Sequence, residues 1–160
     1  MRIERLAHMT EVMRKGTTLR EFFQEVARTN VPGLPYVDKH DRIIGRISVR
    51  HVFKLIAVPN SILRLADAMG DQTDKLDLSE RRVLKALASP VEDFMLESIP
   101  SVSPTSAIVK ALAIMEAYNT HYIFLIDDGE YRGVVTRMVI ANRLLEWLEE
   151  LDSKRPAEGG

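Results

Sequence analysis

An internal repeat constrains this chain more than any other feature. Residues 9–57 and 97–145 follow one plan: a helical pattern, an apolar strand, a turn, a second strand and a second helix. In the first copy Leu19, Phe22, Phe23 and Val26 recur at helical spacing and predict one apolar face. In the second, Ile108, Ala111, Leu112 and Met115 do the same, each 89 residues further on. The strand Leu34-Pro35-Tyr36-Val37-Asp38 matches Ile123-Phe124-Leu125-Ile126-Asp127 at the same offset. Past the turn the offset falls to 88, aligning Gly45-Arg46-Ile47-Ser48 with Gly133-Val134-Val135-Thr136. A one-residue change confined to a hairpin turn is what a true repeat tolerates, because loop length there mainly selects the turn type.

Each copy closes with a helix, Val49 to about Ala57 and Arg137 to about Asp152, and Pro59 stops the first. One such unit is too small to bury both faces of its sheet and helices, so the two copies are expected to fold together. The organisation predicted is a first repeat over 1–58, a helical inter-repeat segment over 59–90, a second repeat over 91–152 and a flexible tail over 153–160. In the inter-repeat segment, Ile62, Leu65, Ala66 and Met69 predict a short helix ending at Gly70, followed by the polar loop Asp71-Gln72-Thr73-Asp74-Lys75. Glu80 to Ala88 reads as an amphipathic helix with Val83, Leu84 and Leu87 on its apolar face and Asp77 or Ser79 as its cap. The segment either packs on the repeats or serves as an arm that docks a partner.

Composition closes off several function classes. Acids and bases are nearly balanced, with a net charge of −1, and they are interspersed, so no concentrated basic face for nucleic acid is expected. Without cysteine there is neither a disulfide nor a thiolate metal site. No run approaches the roughly 18 to 20 apolar residues of a membrane helix, and the N-terminus lacks a signal-peptide pattern. The expectation is a soluble, cytoplasmic protein with no membrane insertion. His8, His40, His51 and His121 show no metal-ligand spacing, and neither a glycine-rich phosphate loop nor a Gly-x-Ser-x-Gly elbow is present. Asp127-Asp128 and Glu149-Glu150 read as solvated charge, and Met9, Met13, Met95 and Met115 as fillers of core gaps. No catalytic residue, metal or cofactor is expected.

Taken in order, these segments resemble a tandem pair of cystathionine-β-synthase (CBS) domains, a Bateman module. The second copy carries the pattern through Val91-Glu92-Asp93-Phe94-Met95, Ile99-Pro100-Ser101-Val102-Ser103-Pro104, the helix at 106–118, the strand ending in Asp127 and the Gly133-Val134-Val135-Thr136 strand. The first supplies Gly33-Leu34-Pro35-Tyr36-Val37-Asp38 and Gly45-Arg46-Ile47-Ser48, with a degenerate opening at Leu6-Ala7-His8-Met9-Thr10. The resemblance implies an α+β fold of two βαββα repeats packed sheet to sheet with pseudo-two-fold symmetry. It also implies a homodimer and a non-catalytic regulatory role, with an adenosine-containing ligand such as AMP, ADP or ATP held in a cleft between the repeats. The regulated partner would be an enzyme or transporter.

The same resemblance assigns ligand-contacting positions. In the family a Ser or Thr ends the strand, and an Asp three residues later accepts from both ribose hydroxyls. The corresponding pairs here are Ser48 with His51, and Thr136 with Val139. His51 retains one acceptor as a neutral imidazole, and Val139 has none. Ser48 and Thr136 equally suit plain helix N-capping, and an amide-rich helix N-terminus also favours phosphate. Arg50 and Arg137, with Lys54 and Arg14, are candidates to meet a phosphate. His121 and Tyr122 precede the second strand, Pro32 and Gly33 occupy the matching place in the first copy, and Phe124 stands where the first copy has Pro35. Two readings remain open: a ligand-sensing module that prefers the Ser48–His51 side, and a structural dimerisation or docking module with vestigial clefts.

Overall fold

The computed structural model describes residues 1–58 and 80–156. The expected helix at Ile62–Met69, the loop 71–75, the caps Asp77 and Ser79, the stop at Pro59 and the last four tail residues lie outside the described residues. Two compact units are present. One contains Thr10–Ile99 with Gly129–Tyr131, and the other Met1–Met9, Pro100–Asp128 and Arg132–Gly160.

The first unit carries α1 (Leu19–Thr29), β1 (Gly33–Val37), β2 (Ile43–Ser48), α2 (Val49–Ile56) and α3 (Glu80–Ala88). Thr18 and Glu21 start α1 through a reciprocal capping box, and Asn30 ends it in the left-handed region at φ 55°. Leu19 and Phe22 are fully buried on its inner face, and Phe23 bridges Phe22 and Phe53 with ring centroids 5.4 and 5.6 Å away. β1 and β2 pair antiparallel, with an irregularity at Tyr36 and Val37. α3 packs on α1 and α2 with Ala86 buried, whereas Leu84 is 61% exposed. That corrects the expected face: the small Ala86 lets the helices approach closely, and Leu84 lies about 200° around the helix from it.

The second unit carries β3 (Ser101–Val102), α4 (Ile108–Ala117), β4 (Tyr122–Asp127), β5 (Glu130–Thr136, from Arg132 on) and α5 (Arg137–Lys154). β3 runs parallel to β4, and β5 flanks β4. Ile3, Leu6, Val102, Ala111, Met115, Ile123, Leu125, Val135 and Ile140 form the core. Leu112 was expected on the buried face but is exposed, because Ala111 and Met115 centre that face and Ile108 and Ile114 flank it. Met13 and Met115 are buried and Met95 is partly so, but Met9 is 64% exposed, one residue past the bridge from His8 to Val134. α5 continues through Lys154, past the end expected for it.

The hydrogen bonds repeat with the offset seen in the sequence. Met13 bridges Tyr36 in parallel as Val102 bridges Leu125, so the leading strand of the first copy is reduced to one bridge. The opening segment of each copy pairs with the last strand of the other. His8 and Val134 exchange two bonds of 2.9 Å, and Leu96 and Arg46 exchange bonds of 2.8 and 2.9 Å. This crossing explains the glycine common to both copies. A Cβ on Gly45 would stand 2.7 Å from the Leu96 carbonyl oxygen, and one on Gly133 would stand 3.1 Å from that of His8. The fold is an α+β pair of related units, as the sequence predicted.

Candidate functional site

Both copies turn from their last strand into a helix in the same way. The first helical N–H reaches back to the loop before the inner strand: Val49 donates to the Pro32 carbonyl at 3.0 Å, and Arg137 to that of His121 at 2.9 Å. Beyond that bond the two turns differ.

In the first unit Ser48 ends β2, stands at the N-cap of α2 and pairs in register with Gly33. Its side chain makes no capping bond, which corrects the expected N-capping, and it has no hydrogen-bond partner among the described residues although Ser48 is only 7% exposed. His51 lies on the first turn of α2 and is partly buried. Burial, then the positive charges of Lys54 and Arg46, hold its imidazole below the usual range, so it is neutral near pH 7. Arg50 is exposed and makes no ion pair among the described residues. The turn thus brings together Pro32, Gly33, Ser48, Arg50 and His51, with no acid in the first turn of the helix. Arg14 points its charge elsewhere, into an ion pair with Asp41 at 2.5 Å.

Sequence reasoning missed Arg46. It is 6% exposed, two residues before Ser48 and hence on the same face of β2. Its guanidinium donates to the Ser98 carbonyl at 2.8 Å and to Ser98 Oγ at 3.1 Å. The signal was an arginine inside an otherwise apolar strand, where the second copy has Val134.

In the second unit the turn is closed. Thr136 Oγ1 accepts from the Val139 N–H at 3.2 Å, the capping expected of it. Arg137 pairs with Glu116 at 3.0 Å, and its buried Nε has no partner among the described residues. Val139 packs against the core, His121 is exposed, and Tyr122 lies within β4 with its ring against Phe124 at 5.5 Å. Phe124 itself is fully buried. Of the residues expected to line this site, none offers a free acceptor where Val139 stands. No cluster of three metal-binding side chains occurs among the described residues, and none of their helices is long and apolar enough to cross a membrane.

Comparison with known proteins agrees with this architecture. An uncharacterised protein of Methanocaldococcus jannaschii, MJ0450, is 30% identical over 76% of this chain and 72% of its own. The crystal structure of CBSX2 in complex with AMP superposes with a TM-score of 0.63 at 16% identity, covering 91% of this chain and 97% of that one. MJ1225 of Methanocaldococcus jannaschii, put forward as an archaeal homologue of γ-AMPK, gives a TM-score of 0.66 at 18% identity over 91% of this chain and 50% of its own. The model of the CBS domain matches residues 11–58 and 91–146, which is more than half of the chain. With two matched regions and the paired units described above, the chain belongs to the CBS-domain family as a tandem pair.

Proposed function

We propose that this protein is a non-catalytic regulatory module of the cytoplasm that binds an adenosine-containing ligand, such as AMP, ADP or ATP, at the turn carrying Ser48 and His51. Ligand occupancy there is read by a partner enzyme or transporter. The observation that carries the reading is Ser48 at the N-terminus of α2, a residue only 7% exposed whose hydroxyl has no hydrogen-bond partner among the described residues. Helix N-terminal amides and their dipole favour an anion, and the absence of an acid from the first turn leaves that preference intact. His51, on the same turn, supplies a further polar contact. The AMP bound by CBSX2 supports the ligand class. Thermal-shift screening against AMP, ADP, ATP, S-adenosylmethionine and cyclic dinucleotides tests it. At 100 times the dissociation constant a ligand stabilises the fold by about 2.7 kcal/mol. A shift from none of them would remove the reading.

The second turn favours another reading, a ligand-free module that dimerises and docks a partner. Thr136 is already bonded to Val139 N–H, and Val139 accepts nothing. α5 also presents Leu144, Leu145, Trp147, Leu148 and Leu151, each between 42 and 61% exposed. We assign this stripe to a homodimer contact; Ile140, on the same helix, is buried in the core of its unit instead.

A further inference from the structure

His51 stands three residues past Ser48, on a turn whose other charged neighbours among the described residues are cationic. The charge of Arg46 acts on it from β2, and Lys54 lies one turn along α2. Among the described residues, the charges that act on His51 are those of Lys54 and Arg46, and no acid joins them. α3 presents Arg82 and Lys85 beside Leu55 and Ile56 at the far end of α2. In the Val91–Phe94 turn, Glu92 accepts from the Gly16 N–H at 2.8 Å and Asp93 is exposed. An imidazole in this position is kept neutral by burial and by these cations, and becomes an effective cation only when an anion joins them. The helix N-terminus and the Ser48 hydroxyl, which has no partner among the described residues, offer that anion its place.

We propose that His51 closes on a bound phosphoryl group as an imidazolium, so that ligand binding at this turn takes up a proton and tightens as the pH falls. The proposal rests on the reading that a phosphorylated adenosine ligand binds beside Ser48. Its physical basis is the sign of the local field. Without ligand, burial and the charges of Lys54 and Arg46 disfavour a third cation. A phosphate within a few ångströms reverses that balance and favours the protonated ring. Binding therefore raises the proton occupancy of His51. The affinity climbs as the pH drops below the bound-state value and levels off below the free-state value. The second copy has Val139 at this position, so a ligand there shows only its own titration.

The test is calorimetric titration of AMP into wild type and His51→Gln between pH 8 and pH 6. The phosphate of AMP titrates in the same range, but identically for both proteins, so the ratio of their affinities isolates the histidine. That ratio is expected to rise about tenfold from pH 8 to pH 6, one proton changing affinity by at most a decade per pH unit. A companion titration of wild type in two buffers of different ionisation enthalpy should register proton uptake, and it needs no variant. A flat ratio, or no uptake while AMP still binds, overturns the proposal. Failure of wild type to bind AMP at any pH overturns the underlying ligand reading instead, and this proposal with it.

Discussion

At Glu25 a carboxylate lies inside the apolar face of α1, only 6% exposed. One oxygen accepts the Glu11 N–H at 2.5 Å, and both oxygens accept from the Arg28 guanidinium. The bond from Arg28 holds the carboxyl below its usual range, and the Glu11 amide adds to that against the opposing effect of burial. A depressed folded-state value stabilises the fold above the unfolded value, and that contribution is lost as the pH falls through the folded one. The melting temperature should accordingly drop on acidification from about pH 5 downward, as an unfolded Glu, half protonated at about pH 4.3, takes up its proton. Glu25→Gln should cost about 1–3 kcal/mol at neutral pH and flatten this acid limb. An unchanged limb in the variant would assign the acid sensitivity to other groups. Arg28 stands three residues on, at helix-pair spacing, but no local pattern points to the Glu11 amide, since that contact arises from the segment preceding α1.

At the scale of elements, the helices and inner strands were readable because their apolar periodicity is strong. α2 and α3 begin and end within about a residue of expectation, and α1 starts at the first apolar residue of its pattern. The faces were less readable at Leu84, Leu112 and Met9, because a small residue such as Ala86 or Ala111 can centre a tightly packed face that a hydrophobicity pattern assigns to its larger neighbour. The recurring glycine was visible as a repeat signature, while its cause, the crossing of the opening segments, needs long-range pairing. Gly45→Ala should destabilise by at least the 1–3 kcal/mol of an overpacked site, because its new methyl meets the Leu96 backbone at 2.7 Å and backbone yields little. Gly133→Ala adds strain at φ 131° to a contact of 3.1 Å with the His8 carbonyl. Urea denaturation midpoints measure both changes, and variants as stable as wild type would contradict the crossing geometry.

For the whole molecule, the repeat announced a pair of related units, and the candidate residues of the first turn were legible as a group. The contrast of His51 with Val139 was legible too; what escaped was the difference in capping between the turns, and Arg46. Ser48 and Thr136 align in sequence, yet only Thr136 spends its oxygen on the cap, and Arg46 joins the first site from inside a strand. The exposed stripe of α5 predicts a dimer in sedimentation at micromolar concentration, since apolar patches of this kind are rarely left open on a monomer. Leu148→Glu should shift the protein towards monomer, and a wild type that sediments as a monomer would reassign the stripe. The central claim, that one turn of the pair is a ligand site and the other is closed, meets its most direct test in calorimetric titration of AMP at fixed pH into wild type, His51→Ala and Val139→Ala. The account predicts saturable binding at one site per chain, weakened in His51→Ala by several-fold or more and nearly unchanged in Val139→Ala. Binding that survives the loss of His51 but falls with Val139, or two equivalent sites per chain, would contradict it.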